Sequence, residues 1–195
     1  MHVYILGGFL GAGKTTLLMR IANELINKGK RVVTLVNEVG KVGVDGITIK
    51  SSGYTTIELP SGCICCTLAG SLQENFVQIK QQYRPDVVLI EPTGIAIPDR
   101  VMEIVKLIEK PEIIKIFGVA DVPRFDLFVS KKKDFYLRQL GRSDLLILTK
   151  IDLAKEGDIE RIRKWFSKEV PGVELVPVCS NSDNNMCTIF KEMKQ

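Results

Sequence analysis

The segment from Gly8 to Thr15 constrains the fold of this chain more than any other. It reads GFLGAGKT, follows the apolar run Val3–Leu6 and precedes a helical pattern. This matches the spacing G-x-x-x-x-G-K-[ST], in the strand–loop–helix context that a phosphate-binding loop requires. The glycines let backbone N–H groups converge on an anion, and the helix that follows adds the positive end of its dipole. The segment therefore predicts an α/β chain that binds a nucleoside triphosphate.

The residues of this loop have distinct expected tasks. Lys14 can reach the β- and γ-phosphates and neutralise charge during phosphoryl transfer, so it is also a predicted catalytic residue. The Thr15 hydroxyl is a predicted Mg²⁺ ligand, and Thr16 is placed to contact a more proximal phosphate. The predicted nucleotide-binding residues of the loop are Gly8, Gly11, Ala12, Gly13, Lys14, Thr15 and Thr16.

Apolar β-like runs alternate with helical patterns along nearly the whole chain. The predicted strands are Val3–Leu6, Arg31–Asn37, Thr55–Leu59, Val87–Glu91, Ile113–Ala120, Asp144–Thr149 and Val173–Val178. The predicted helices are Lys14–Lys28, Ala69–Tyr83, Asp99–Glu109, Lys133–Leu140, Gly157–Phe166 and Met186–Met193. Strands separated by helices imply parallel βαβ units. We expect a three-layer α/β P-loop NTPase fold, a mostly parallel sheet with helices on both faces, as a single domain over residues 1–195.

Two segments depart from this alternation. The glycine-rich stretch Val39–Tyr54 is predicted to be a mobile loop, because glycine permits many backbone conformations. The basic run Lys131–Lys133 is predicted to be a solvated loop or the start of a helix.

A carboxylate ends one of the apolar strands. Glu91 follows Val87–Ile90 and precedes Pro92, Thr93 and Gly94. A carboxylate at this place can hold Mg²⁺ or polarise a water near the γ-phosphate, so Glu91 is a predicted catalytic residue and Mg²⁺ ligand. Gly94 can donate its backbone N–H to the same phosphate. The alternative is a strand whose terminal glutamate is merely exposed.

A second strand ends in a sequence that indicates guanine recognition. Thr149, Lys150 and Asp152 follow Leu145–Leu148 and match the N/T-K-x-D element of GTPases. Asp152 can accept two hydrogen bonds from guanine, which adenine cannot donate in that geometry. Lys150 can lay its aliphatic stem along the base. Ser180 is predicted to close the base pocket from the other side, and the alternative is an ordinary loop after a strand.

The segment after the second predicted strand supplies further acids. Glu38 lies just after that strand, and Asp45 lies a few residues on in the glycine-rich stretch. Carboxylates on a loop that orders around Mg²⁺ and the γ-phosphate are what a nucleotide switch needs. We therefore predict Glu38 and Asp45 as Mg²⁺ ligands and Glu38 as a catalytic residue, against the alternative of a solvated loop.

Three of the five cysteines are crowded into one short segment, Gly62–Cys66, which reads GCICC. Thiolates of Cys63, Cys65 and Cys66 can converge on one transition metal if the backbone turns. Tetrahedral Zn²⁺ would need a fourth ligand, from Glu38, water or a second molecule. The alternative is that these cysteines are small buried hydrophobic residues. Cys179 and Cys187 are isolated in the sequence and are predicted to pack in the core or beside the base pocket.

Composition excludes several classes of protein. No apolar run approaches the roughly 20 residues that cross a bilayer. We expect no secretory signal, because the phosphate-binding loop lies close to the first residue of the sequence. The net charge of +4 comes from interspersed basic and acidic residues, which does not indicate nucleic-acid binding. We therefore expect a cytoplasmic protein that binds neither membrane nor nucleic acid.

Together these motifs resemble the CobW-like P-loop GTPases, relatives of the nickel chaperones for urease and hydrogenase. The resemblance is carried by GGFLGAGKTTLL, NEVGKVGVDG, ELPSGCICCTL, DVVLIEPTG, the strand end Val119–Asp121 and TKIDL. It implies a GTPase that loads or guards a metal cofactor, with zinc, cobalt or nickel as the metal. It also implies a client metalloprotein and a nucleotide-dependent homodimer. The second, C-terminal domain of many such proteins is not expected in this chain.

The leading functional hypothesis is a slow GTPase that holds and releases a transition metal. The alternative is a nucleotide-gated protein-binding module that assists a corrinoid enzyme or another metalloenzyme, with structural cysteines. An ATP-dependent small-molecule kinase or ligase is a third hypothesis, which the T-K-x-D element disfavours.

Overall fold

The computed structural model describes residues 1–36, 47–49, 55–58, 76–77, 79–179 and 185–193. The strands are β1 (His2–Gly8), β2 (Val32–Val36), β3 (Ile47–Ile49), β4 (Thr55–Glu58), β5 (Val87–Glu91), β6 (Ile113–Asp121), β7 (Leu145–Thr149) and β8 (Glu174–Pro177). The helices are α1 (Lys14–Asn27), α2 (Pro98–Ile108), α3 (Phe125–Leu140), α4 (Asp158–Glu169) and α5 (Met186–Glu192). Short 3₁₀ turns cover Val122–Arg124 and Ile151–Leu153, and residues 79–83 are helical.

The chain forms two compact units. The first contains Met1–Leu6 and Thr15–Lys115, and the second contains Gly7–Lys14 and Ile116–Gln195. Strand β1 thus begins in the first unit, and its last two residues open the phosphate-binding loop of the second.

In the first unit the strands follow the order β3-β4-β2-β5-β1. All neighbours are parallel except β3 and β4, which run antiparallel. Strands β1, β2 and β5 are apolar and almost wholly buried, as expected when a parallel sheet is covered on both faces. Helix α1 has an apolar face, formed by the buried residues Leu17, Leu18, Ile21 and Leu25.

In the second unit β6, β7 and β8 form parallel neighbours. Helices α3 and α4 pack an aromatic core against β6 and β7, centred on Phe125, Tyr136 and Phe166. The register pairs Asp121 with Thr149, so the carboxyl ends of β6 and β7 lie side by side. This edge carries the side chains of the candidate site.

The α/β fold class predicted from the sequence is confirmed, and so are seven of its strands to within two residues at each end. The prediction of a loop over Val39–Tyr54 is wrong at Ile47–Ile49, which forms β3 beside β4. Ile and Thr are β-branched residues that favour strands, and this propensity outweighs the surrounding glycines.

Helix α3 also differs from its prediction, which began at Lys133. It begins at Phe125, because Phe125, Phe128 and Val129 recur at helical spacing and pack on the aromatic core. The run Lys131–Lys133 lies inside the helix, at a kink where Lys132 has non-helical angles of φ −145° and ψ 36°. The kink separates two helical segments, so the second segment begins at Lys133 as predicted, and only the segment from Phe125 to the kink was not predicted.

Cys187 is exposed, which contradicts its predicted place in the core or base pocket. It lies on α5, whose buried face is formed instead by Met186, Ile189 and Phe190. No helix among the residues described here has both the length and the apolar composition needed to cross a membrane.

Candidate nucleotide-binding site

The phosphate-binding loop, Gly8–Thr15, has the backbone that its glycines predict. Gly8, Gly11 and Gly13 have φ of 139°, 74° and 89°, values that other residues adopt only with strain. At Gly8 space is limiting as well, because a Cβ atom there would lie 2.3 Å from the backbone oxygen of Val119. The loop thus passes directly over the end of β6, at a distance that excludes any side chain.

Four consecutive carbonyl groups of the loop, from residue 9 to residue 12, each accept a hydrogen bond from a side chain. Lys14 Nζ donates to Phe9 O over 3.1 Å, Arg124 Nη1 to Leu10 O over 2.8 Å, Lys150 Nζ to Gly11 O over 2.7 Å, and Thr149 Oγ1 to Ala12 O over 2.7 Å. Three of the four donors are cationic, and the hydrogen bonds from these three are stronger than bonds between neutral groups. The carbonyls of the loop are therefore held by side chains on three different elements.

Lys14 is 4% exposed even though it carries an ammonium group. A buried charge is tolerated when it is hydrogen-bonded, and Phe9 O supplies one acceptor. This position at the start of α1 fits its predicted role of meeting phosphate oxygens.

Asp121 organises the cations around the loop. Its carboxylate is 2% exposed and accepts two parallel bonds from Arg124, with Nε at 2.8 Å and Nη2 at 2.9 Å. Lys150 Nζ lies 3.2 Å from the same carboxylate. The hydrogen bond with Asp121 raises the pKa of Arg124 above its ordinary value, so the guanidinium stays charged.

The predicted guanine-reading element follows β7. Thr149 is buried, and its hydroxyl, besides bonding Ala12 O, lies 3.1 Å from Ala120 O. Lys150 has left-handed backbone angles, and its ammonium contacts the loop as described above. Asp152 is exposed on the turn that follows, with the Cys179 thiol 3.8 Å from its carboxylate. Cys179 is thus partly buried beside Asp152, the carboxylate that the sequence predicts to read the base.

In the first unit the predicted acid Glu91 ends β5. It is buried and lies opposite Val36, the last residue of β2. Thr15 and Thr16 are exposed in the first turn of α1. Gly94 is half-buried in the turn after β5.

Residues 2–177 match the CobW/HypB/UreG family, nucleotide-binding domain. The chain belongs to this family. The predicted resemblance to CobW-like P-loop GTPases is thereby confirmed.

Among named relatives, the zinc chaperone YeiR of Escherichia coli is 27% identical over 175 residues, which cover 88% of this chain and 53% of YeiR. The zinc-regulated GTPase metalloprotein activator 1 of Schizosaccharomyces pombe is 32% identical over 177 residues, covering 85% of this chain and 43% of the activator. The chain thus spans about half the length of the curated relatives it matches.

Solved structures show the same fold. HypB, the hydrogenase maturation factor of Archaeoglobus fulgidus, superposes with a TM-score of 0.70 at 17% identity, covering 100% of this chain and 89% of HypB. Zn(II)-bound YjiA GTPase of Escherichia coli superposes with a TM-score of 0.69 at 22% identity, covering 99% of this chain and 62% of YjiA. At these identities the likeness concerns the fold alone.

Several of the predicted family residues lie outside the described part of the chain. They are the acids Glu38 and Asp45, the cysteines Cys63, Cys65 and Cys66, and Ser180. Within the described ranges, no three His, Cys, Asp or Glu residues cluster closely enough to hold a metal ion.

Sequence reasoning missed two residues that hold the phosphate-binding loop, one outside the loop and one within it. Arg124 was not singled out, although an arginine three residues after the strand-ending Asp121 is spaced to pair with it. Phe9, within the loop, was not singled out either, yet its ring stacks on Phe128 with centroids 4.0 Å apart. An aromatic residue between two glycines of such a loop was the available signal.

Proposed function

We propose that this chain binds GTP, hydrolyses it slowly, and couples the nucleotide state to holding and releasing a transition metal. The observation that carries the proposal is the direct bonding of the T-K-x-D element to the phosphate-binding loop. Thr149 and Lys150 each bond a loop carbonyl, while Asp152, two residues on, stays exposed. One compact unit therefore presents donors for phosphates and a carboxylate for guanine.

The charges of this unit suit phosphoryl transfer. Backbone N–H groups of the loop and the Lys14 ammonium offset negative charge as it spreads over the transferred phosphoryl group. Gly94 would add a backbone N–H from the turn after β5. Asp152 selects the base, since it accepts from two guanine donors that adenine lacks.

The donor set also fits Mg²⁺, which prefers oxygen ligands. The exposed Thr15 hydroxyl and the buried Glu91 carboxylate would hold it, joined by Glu38 and Asp45 from the segment that is not described. Bound Mg²⁺ offsets charge on the β- and γ-phosphates. We assign Glu91 and Glu38 to orienting the attacking water.

The proposed cargo site is the segment of Cys63, Cys65 and Cys66. Its thiolates suit zinc, cobalt or nickel, and YeiR is named a zinc chaperone. The proposed partners are a client metalloprotein and a second copy of this chain, which would associate when GTP is bound. We propose that this takes place in the cytoplasm.

A binding experiment on the full chain tests the nucleotide part of the proposal. GTP should bind at least tenfold more tightly than ATP, and Asp152→Asn should reduce that preference without abolishing phosphate binding. Lys14→Ala should lose triphosphate binding whichever base is present. Equal affinities of the parent protein for GTP and ATP would refute the assignment.

Cobalt tests the metal part, because thiolate–Co²⁺ coordination is visible by absorption. The parent chain should show the thiolate charge-transfer band, and replacing Cys65 and Cys66 with serine should remove it. GTP should shift the Co²⁺ affinity by the factor by which Co²⁺ shifts the GTP affinity. Absence of the band both with and without GTP would leave a nucleotide-gated protein-binding module as the function.

A further inference from the structure

The Arg124 side chain is fixed on three sides. Its Nε and Nη2 donate to the buried Asp121, and the remaining terminal nitrogen, Nη1, donates to Leu10 O in the phosphate-binding loop. The guanidinium carbon also lies 5.4 Å from the centroid of the Phe128 ring. A guanidinium is planar, with its donors in a rigid fork. Its two bonds to Asp121 therefore set the direction of the third bond.

The third bond, from Arg124 Nη1 to Leu10 O, reaches a residue of the loop that side-chain packing does not hold in place. The Leu10 side chain is 81% exposed, so burial does not keep this residue in place. Its neighbour Phe9 is anchored by stacking on Phe128. Since Phe128 lies on α3 and Arg124 directly precedes that helix, the start of α3 holds Phe9 by its ring and Leu10 by its carbonyl.

We propose that Arg124 is a positioning residue of the phosphate-binding loop: anchored on Asp121, it holds the Leu10 carbonyl so that the loop N–H groups are ready for phosphate. The inference rests on the proposed function, because a loop ready for phosphate matters only if a nucleotide binds there. Arg124 acts through the loop backbone. Lys14, Lys150 and Thr149 belong to the recognised motifs, whereas Arg124 adds a tether from the segment between them.

Two roles of Arg124 can be distinguished by experiment. One is to position the loop, and the other is only to attract phosphate through its positive charge. A lysine at position 124 keeps the positive charge but lacks the fork that bonds Asp121 twice and Leu10 O at once. Positioning of the loop should also affect the phosphate end of a nucleotide and leave recognition of the base unchanged. Inosine triphosphate, which lacks the exocyclic amine of guanine, provides that comparison.

The experiment compares Arg124→Gln and Arg124→Lys with the control Arg161→Gln in the full chain. Arg161 is a matched residue of the same unit, because it also bonds carboxylates, those of Asp126 and Asp158, and lies over an aromatic ring. Among the described residues, its side chain bonds Asp126 and Asp158 and does not bond the loop. Affinities for GTP and inosine triphosphate, kcat and KM for GTP, and Tm without nucleotide are measured for each protein.

Arg124→Gln should weaken GTP and inosine triphosphate binding by the same factor, about tenfold, the loss of one charge-assisted hydrogen bond. Arg124→Lys should fold like the parent and still lose at least threefold. Arg161→Gln should stay within twofold of the parent, whatever its Tm.

Parent-like GTP affinity in Arg124→Lys would overturn the inference, and so would an equal loss in Arg161→Gln. If Arg124→Gln does not fold, Arg124→Lys alone decides. A parent protein that binds no triphosphate refutes the proposed function as well. A parent that binds GTP while Arg124→Lys matches it refutes the positioning role alone.

Discussion

An arginine–aspartate pair in each unit shows how position changes the effect of the same chemistry. In the first unit Arg31 bonds both carboxylate oxygens of Asp86, at 3.3 and 3.0 Å, and in the second Arg124 does the same to Asp121. Asp86 is 36% exposed, whereas Asp121 is 2% exposed. Water competes for the first pair and is excluded from the second carboxylate.

The two pairs also differ in what else they touch. Asp86 accepts the backbone N–H of Arg31, so the first pair joins the chain just before β2 to the chain just before β5. Asp121 accepts from two cations that each bond a loop carbonyl. The exposed Arg31–Asp86 pair therefore joins the segments that precede two strands. The buried Asp121 carboxylate instead holds the two side chains that bond the phosphate-binding loop.

The largest effect is expected from Asp121→Ala. It should lower the free energy of unfolding by about 3 kcal/mol, the low end for breaking a buried ion pair, because Arg124 and Lys150 remain partly exposed. GTP affinity should fall as well. Asp86→Ala is the matched control and should cost at most about 1 kcal/mol. Denaturant titrations of both variants measure the difference, and equal losses would contradict the comparison.

Thr149→Val should have the next largest effect. It removes the hydroxyl that bonds Ala12 O and leaves that carbonyl unsatisfied, at a cost of about 1–2 kcal/mol in unfolding free energy. GTP should also bind more weakly, because the loop loses one of its four side-chain bonds. Thr149→Ser keeps the hydroxyl and should bind GTP nearly as the parent does. If serine and valine weaken GTP binding equally, the bond to the loop is not what matters.

Removing the Tyr136 hydroxyl, a buried group, should stabilise the fold, whereas removing the Thr149 hydroxyl should destabilise it. The Tyr136 hydroxyl is buried among aromatic rings, bonds no other described residue, and has a raised pKa because burial disfavours its charged form. Tyr136→Phe should therefore raise the unfolding free energy, by up to about 1 kcal/mol. Denaturant titration measures this change, and a loss above about 0.5 kcal/mol would show that the hydroxyl is satisfied in solution.

The smallest expected effect is the acid dependence of the exposed pair. The Arg31 side chain lowers the pKa of Asp86 from 3.8 to about 2. The stabilisation by Asp86 is therefore present above about pH 4 and is lost as the pH falls through about 2. Solvent screening limits it to less than about 1 kcal/mol. The difference in unfolding free energy between the parent and Asp86→Asn should shrink over this range, and a constant difference would contradict the pairing.

The motifs and the fold class were predictable because their signals lie in consecutive residues. The loop from Gly8 to Thr15 carries its own backbone requirements, and buried parallel strands are recognisable as short apolar runs. The start of α3 was missed because Phe125 and Phe128 face a core whose other members are remote in sequence. The strand Ile47–Ile49 was missed because the glycines around it suggested a loop.

The sequence by itself therefore determined that this chain is an α/β nucleotide-binding domain with a phosphate-binding loop and a T-K-x-D element. Only the tertiary structure decided how that loop is held. The bonds to Leu10 O and Gly11 O come from Arg124 and Lys150, 114 and 139 residues away. Backbone carbonyl groups are chemically alike at every position. The local sequence therefore does not reveal which distant side chain donates a hydrogen bond to a given carbonyl. The donors are selected by the strand register, which places Asp121 at the end of β6 beside Thr149 at the end of β7. They are also selected by the buried Asp121 carboxylate, which holds Arg124 next to the loop.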